Sequence, residues 1–524
     1  MNNKKDKLHE LIQSMSMSEK RSFKLFANRH TIGDQNNYLT LFEMIEQMPV
    51  FDQAELERSL QAVDMPTRHI SSDKNYLYNL ILRGLSVFNS NKTTSLKVKE
   101  LLHQAEILYE KGLFEQVLGL LKKAKSNALR YELYPLFIEI SFWERKTKGK
   151  LGDIRGVKQA LEEAMHYMAL LDNMQAYMKL YYDISDLRRS VSKARTPKTE
   201  EKLAAFIQHP FLQRDDIPMS FQAKLNYRRI YAMYYYLVDD EENEMKTNEA
   251  LLSLMDSRDD YATEFPGEYI TVSSRLLILK RHKSEVEFQK TLDDFRRFPF
   301  EKMKKKRNSV IAQVEIDSTA TEMSRLLERG RIKESQVMLN SMRELAHKYR
   351  SRMSRSQKLS YHYMYTYSYL AAGEYRTALK EVNYLLNEFD ASVRPQMYSF
   401  ARMLNMVIHA ELGNLTVLKY EADSTARFLK KRGKMHRLET ILIRMFRRLA
   451  RSSMATVDVR VKRKILRSFR AELEEIYSDE YEKKTLIFFD FRAWLDSKIN
   501  NISFAEAKMV LLLNEIEEVE AEPI

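Results

Sequence analysis

The stretch Tyr367-Ser-Tyr-Leu-Ala-Ala-Gly373-Glu-Tyr375, continued by Ala378, Val382 and Leu385, decides the fold. A glycine tolerates the left-handed backbone that ends a helix; the apolar residue two positions later re-enters the core, and the alanine lets a second helix approach closely. The same pattern recurs twice. Ala105-Glu-Ile-Leu-Tyr-Glu-Lys-Gly112-Leu-Phe114 is followed by Val117, Leu121 and Ala124, and Ala410-Glu-Leu-Gly413-Asn-Leu415 by Leu418 and Ala422. Weaker copies turn at Gly152 and Gly330, and two turns without glycine are expected near Asp240 and Arg281. Gly112 and Gly152 lie 40 residues apart, Gly330 and Gly373 lie 43 apart, and Gly373 and Gly413 lie 40 apart. Stacked helical hairpins repeat every 34 to 47 residues or so.

Composition points the same way. A chain of 524 residues is too long for one ordinary core, and only 12 Gly and 10 Pro punctuate it. Leu, Lys, Glu, Arg and Met, which lose little rotamer freedom in a helix, are plentiful. The expected fold is all-α: an α-solenoid of stacked helical hairpins with helical caps at both ends. Its parts are a cap over residues 1–92, a repeat array over 93–426 and a C-terminal helical region over 427–524. In the cap, Ser16 with Glu19 and Asp52 with Glu55 have the spacing at which side chains satisfy the first free amides of a helix.

These repeats resemble the tetratricopeptide-repeat superfamily of α-solenoids over roughly residues 95 to 430. The resemblance is clear at Gly112, Gly373 and Gly413 and fades between about 185 and 225, where Pro197, Pro210 and Pro218 interrupt it. The tryptophan common in the first helix of that family is missing, and the period is longer. Met17-Ser-Glu-Lys-Arg-Ser-Phe-Lys-Leu-Phe-Ala27 is similar to the opening of an uncharacterised bacterial family carrying such repeats, which implies no activity.

The C-terminal region has the most uneven charge. Residues 427 to 470 hold 16 Lys and Arg against Glu439 and Asp458, whereas residues 471 to 524 hold 14 Asp and Glu against five Lys and Arg. Arg444, Arg447, Arg448 and Arg451 fall at i, i+3, i+4 and i+7, along one helical face, with Leu438, Leu442, Met445 and Leu449 opposite. A second helix sets Leu466, Phe469, Leu473 and Ile476 inward and Arg463, Lys464, Arg467 and Arg470 elsewhere. The last helix opens with Ser503 and Glu506 and ends in Glu515, Glu517, Glu518 and Glu520. This basic face is the footprint of a phosphate backbone or an acidic protein, unless the acidic final helices cover it.

No chemistry assembles along the chain. The absence of cysteine excludes disulfides, thiolate metal sites and a cysteine nucleophile, and fits a reducing, cytoplasmic compartment. The start of the chain is basic and runs into an amphipathic helix, so no secretion signal is expected. Apolar runs such as Met509 to Leu513 are too short for a membrane span. No phosphate-binding glycine loop, nucleophile elbow or H-E-x-x-H occurs, and the 11 histidines are scattered singly. No catalytic residue, metal or cofactor is expected. The alternating Tyr361, Tyr363, Tyr365, Tyr367 and Tyr369 fall on the first helix of a hairpin. One reading makes all five core; the other makes Tyr363 and Tyr367, with Tyr234 on an earlier helix, anchors of a peptide groove. The expected function is a protein-interaction scaffold, with another protein or peptide as partner. The alternative is an RNA-, DNA- or ribosome-associated factor using Arg444, Arg447, Arg448, Arg451, Arg463, Lys464 and Arg467.

Overall fold

Residues 6–28, 37–90, 93–191, 193–303, 308–452 and 459–521 are described by a computed structural model, and among them are 25 α-helices, three short 3-10 turns and no strand. Met1 to Lys5 and the side chains of Glu515, Glu517, Glu518 and Glu520 lie outside the described residues. The chain divides into two compact units, Met1–Asn173 and Met174–Ile524.

The glycine turns form as their chemistry requires. Gly112, Gly152, Gly330, Gly373 and Gly413 all have φ between 68° and 80°. At Gly373 the amide donates to the Leu370 carbonyl at 3.1 Å and the next amide, of Glu374, reaches back to Tyr369 at 2.9 Å. These paired bonds satisfy the carbonyls that a helix end leaves open. Gly112 and Gly330 repeat the pair. The expected turn near Asp240 exists, with Asp239 taking the left-handed conformation at φ 70°, and the one near Arg281 is the 3-10 turn Lys280–His282. Glu132, at φ 54°, makes the same turn between the helices Phe114–Arg130 and Tyr134–Lys150, where no glycine announces it.

In the first unit, five helices between Lys7 and Asn89 enclose a core from Leu8 to Ile81, centred on Phe23, Phe42 and Ile45. The Ser16–Glu19 pair forms a reciprocal cap, and Asp52 accepts from the amides of Ala54 and Glu55. A second core joins the hairpin Thr94–Glu110 and Phe114–Arg130 to the helix Tyr134–Lys150; Ala105, Val117, Leu121 and Ala124 pack there, at the inward positions read from the repeat.

In the second unit, successive hairpins start with the helices Phe221–Val238, Pro266–Leu279, Asn308–Glu328, Arg355–Ala371, Pro395–Glu411 and Arg437–Ser452. From Pro266–Leu279 onward, each first helix packs on the next first helix as well as on its own partner, the arrangement of a superhelix. One apolar core runs from Ala312 to Ala507 without a break at residue 426, so the C-terminal helices continue the stack. Leu438, Leu442, Met445 and Leu449, then Leu466, Phe469, Leu473 and Ile476, are all buried, as the amphipathic pattern requires.

The second unit also closes on itself. Arg195, ahead of the helix Pro197–Ile207, donates to Glu439 at 2.7 and 3.1 Å and pairs with Glu482. Glu482 in turn accepts from the first amide of Arg437–Ser452 at 2.9 Å, an N-terminal cap supplied from 45 residues away.

Candidate functional site

A cavity of about 540 Å³ lies along the inner helices of the second unit, within the size range of ligand sites. Its wall comes from five of the six hairpins of this unit and from the C-terminal segment: Tyr236 on Phe221–Val238, Arg275 on Pro266–Leu279, Asp317 on Asn308–Glu328, Ser360 on Arg355–Ala371, Arg394 beside Pro395–Glu411, and Phe488 from the C-terminal segment. The wall mixes charged and polar side chains with apolar ones such as Ile278, Ile316, Leu327 and Met397.

The tyrosine helix explains one side of this channel. Ser354 and Gln357 cap its start reciprocally. Tyr361, Tyr363, Tyr365 and Tyr367 are all buried, and Tyr369 is half-buried. The Tyr361 hydroxyl donates to the Ile316 carbonyl of the preceding hairpin at 3.0 Å. The opposite face corrects the groove reading. Tyr363 and Tyr367, 4% and 6% exposed, reach the channel wall but are not free anchors. The Tyr363 hydroxyl donates to the Phe488 carbonyl at 2.9 Å, and the Tyr367 ring lies 5.0 Å from Phe489 and 6.1 Å from Phe504. The chain's own C-terminal segment occupies that surface, because Phe488, Phe489 and Phe504 also have apolar area to bury. Burial pushes the Tyr363 phenol well above its ordinary value.

Tyr234 is likewise half-buried, edge-on to Tyr235 at 5.4 Å. Tyr236 faces the channel instead, since two residues turn a helix by about 200°. Around its ring stand Arg188 at 5.7 Å, Lys193 at 5.6 Å and Arg275 at 4.9 Å. Asp239 pairs with Lys193, and Glu244 holds Arg275 through a two-pronged bond, one arm at 2.6 Å. Arg281 is matched by Glu328 at 2.9 and 3.0 Å. Arg394 has no carboxylate within salt-bridge distance among the described residues; it donates to the Ser360 hydroxyl. Its side chain is accessible within the channel, where protein displaces much of the bulk water. Desolvation and the nearby Arg188 hold its guanidinium below the ordinary value, against the opposing pull of Tyr236 and Asp317. Asp317 is fixed by the side-chain amides of Gln313 at 2.8 Å and Gln357 at 3.0 Å, and burial raises its pKa. Nothing in the repeat pattern marks Arg394; the channel that it lines forms only when distant helices meet.

The basic helices divide into a neutralised part and a bare part. Arg444 pairs with Glu472, and Arg447 with Asp423 at 2.8 Å, so the neutralising carboxylates come from neighbouring helices. Arg470 is taken by Glu474 and Asp496. Arg448, Arg451, Arg463, Lys464 and Arg467 are exposed and have no carboxylate partner among the described residues. The pairings Arg437–Glu475 and Arg444–Glu472 set the antiparallel register of the two helices, which brings these five cations to one end of the hairpin.

Among the described residues, no group of three or more His, Asp and Glu is placed to hold a metal ion, and no helix is long and apolar enough to cross a membrane. No protein-family model and no curated protein matches the chain.

Proposed function

We propose that the chain is a non-catalytic binding protein, similar in construction to tetratricopeptide arrays, whose second unit receives a segment of another protein in its inner channel. The observation that carries this reading is the channel itself: about 540 Å³ of space lined by polar and apolar side chains from successive hairpins, where a solenoid presents its recognition surface. Tyr363 and Tyr367 act in this reading as wall and support, and the half-buried Tyr236 takes the place of Tyr234 as the aromatic contact in the channel.

The absence of cysteine makes the test direct. A single cysteine at Ser324, on the channel wall, carries a photo-crosslinker in the native cell, with Val286, 82% exposed on the outer surface, as control. Partner adducts form from position 324 and not from position 286. Adducts from the outer position alone overturn the reading.

The five unpaired cations of the basic hairpin favour a second reading, contact with a nucleic-acid phosphate backbone. Each phosphate neutralised on duplex DNA contributes a log–log salt slope of about −0.9. Binding of duplex RNA or DNA that falls steeply with salt and disappears in Arg448→Glu/Arg451→Glu supports it; salt-independent or absent binding removes it.

A further inference from the structure

The first unit ends in a helix with an uncovered seam. Ile154–Val191 runs for 38 residues, and its start, up to Asn173, belongs to that unit. Ala160 and Ala164 turn inward, with the Ser141 hydroxyl of Tyr134–Lys150 donating to the Ala160 carbonyl at 2.8 Å. On another face Ile154, Leu161, Met165 and Met168 are between 42% and 63% exposed. Lys158 and Asp172 stand in the same row, so its positions step by four, three, four, three and four residues. That alternation is how one helix meets a second at a shallow crossing angle. Single exposed apolar side chains are ordinary, but four in register along a preformed helix make a continuous strip that only a second surface withdraws from water. The row is also symmetric in charge. Met165 lies seven residues after Lys158 and seven before Asp172, and both of these are exposed without an ion-pair partner among the described residues.

We infer that this row is a self-association surface on which two copies of the chain pair antiparallel, about a two-fold axis at Met165. Charge complementarity selects this occupant and this direction. Laid antiparallel on its own copy, the row brings Lys158 opposite the second copy's aspartate, Leu161 beside its Met168, and Met165 against itself, so every contact is made twice. A parallel pair would instead set lysine against lysine and aspartate against aspartate. Methionine suits the axis, since its unbranched side chain adapts to an identical neighbour. The surface lies apart from the channel, and the inference stands independently of what the channel binds.

Sedimentation equilibrium of the full chain, 62.2 kDa, tests this. Over about 1 to 200 μM, the range of a small interface, the mass rises from that of one chain to that of two. Met165→Glu, which sets two carboxylates on the axis, stays a single chain throughout. Lys158→Asp and Asp172→Lys each weaken pairing about tenfold, because one substitution acts at both symmetric pairs, and an equimolar mixture of the two recovers it. All these positions are exposed, so the variants keep the parental urea midpoint. Because the chain has no cysteine, Met165→Cys gives a disulfide-linked dimer under mild oxidation, whereas Leu161→Cys, whose counterpart lies about 12 Å further along, does not. A single-chain mass at every concentration overturns the inference. So does a dimer that Met165→Glu leaves intact, since another surface then pairs, or one indifferent to both charge reversals. A photo-crosslinker at position 165 in the native cell yields adducts of two chains; adducts with a different polypeptide alone assign the seam to another partner and overturn the inference as well.

Discussion

Replacing Arg195 by methionine tests whether the second unit is closed as described. The three side chains of this junction are 9%, 4% and 9% exposed for Arg195, Glu439 and Glu482, so the relevant scale is that of a buried ion pair rather than a surface one. Methionine matches the aliphatic stem but removes the charge, leaving two buried carboxylates facing each other. Glu482 keeps its bond from the Arg437 amide, whereas Glu439 loses the 2.7 and 3.1 Å bonds from the guanidinium. Breaking one side of such a pair costs about 3–5 kcal/mol, because the remaining charge is uncompensated. The two tryptophans provide a clean assay: Trp143 lies in the first unit and Trp494 in the second, so a Trp143→Phe background reports on the second unit alone. Urea unfolding followed by Trp494 fluorescence then gives the stability change. The double variant Arg195→Met/Glu439→Met, with charges removed in part and the space filled, recovers a portion of the loss. A single-variant cost below about 1 kcal/mol, the range of exposed pairs, refutes the closure.

Four further outcomes follow from particular residues. Tyr367→Ala costs about 3–5 kcal/mol by emptying the space against Phe489 and Phe504, and Tyr363→Phe about 1–2 kcal/mol by orphaning the Phe488 carbonyl; both are read from urea midpoints, and a neutral Tyr367→Ala contradicts the covered-face description. Gly373→Ala, at φ +80° with open space around its Cβ position, loses about 1–2 kcal/mol to backbone strain alone. Gly149→Ala, also in open space but within a helix, gains about 0.5–1 kcal/mol, and equal signs for the two glycine changes are inconsistent with the turn geometry. His409 and His436 have pKa values lowered by burial, so their contribution to stability is full above the unfolded value near 6.5 and is lost as pH falls through the folded values. The urea midpoint therefore drops between pH 7.5 and 5.5, His409→Gln flattens the drop, and a rise over that window reverses the assigned sign.

The hairpins were legible in the sequence because everything that makes them is local. A left-handed residue, two returning hydrogen bonds and apolar side chains three and four apart lie within a dozen positions, and the Ser16–Glu19 and Ser503–Glu506 caps lie within four. Inward stripes such as Leu438, Leu442, Met445 and Leu449 follow from helical periodicity alone. The turn at Glu132 carries no such signal, because the same bonds form there without the glycine that marks them elsewhere.

Tertiary structure decided which of the chemically distinctive residues remain available. Whether Tyr363 and Tyr367 face a groove depends on Phe488 and Phe489, more than 100 positions away, and whether Arg444 is bare depends on Glu472 across a hairpin. The junction of Arg195 with Glu439 and Glu482 spans separations of 244 and 287 residues, and the channel wall joins Lys193 to Phe488. Contacts of that range leave no periodic mark on the chain: they depend on the accumulated rotation of every hairpin between, so local energetics specifies the repeating units and their stacking decides what those units enclose.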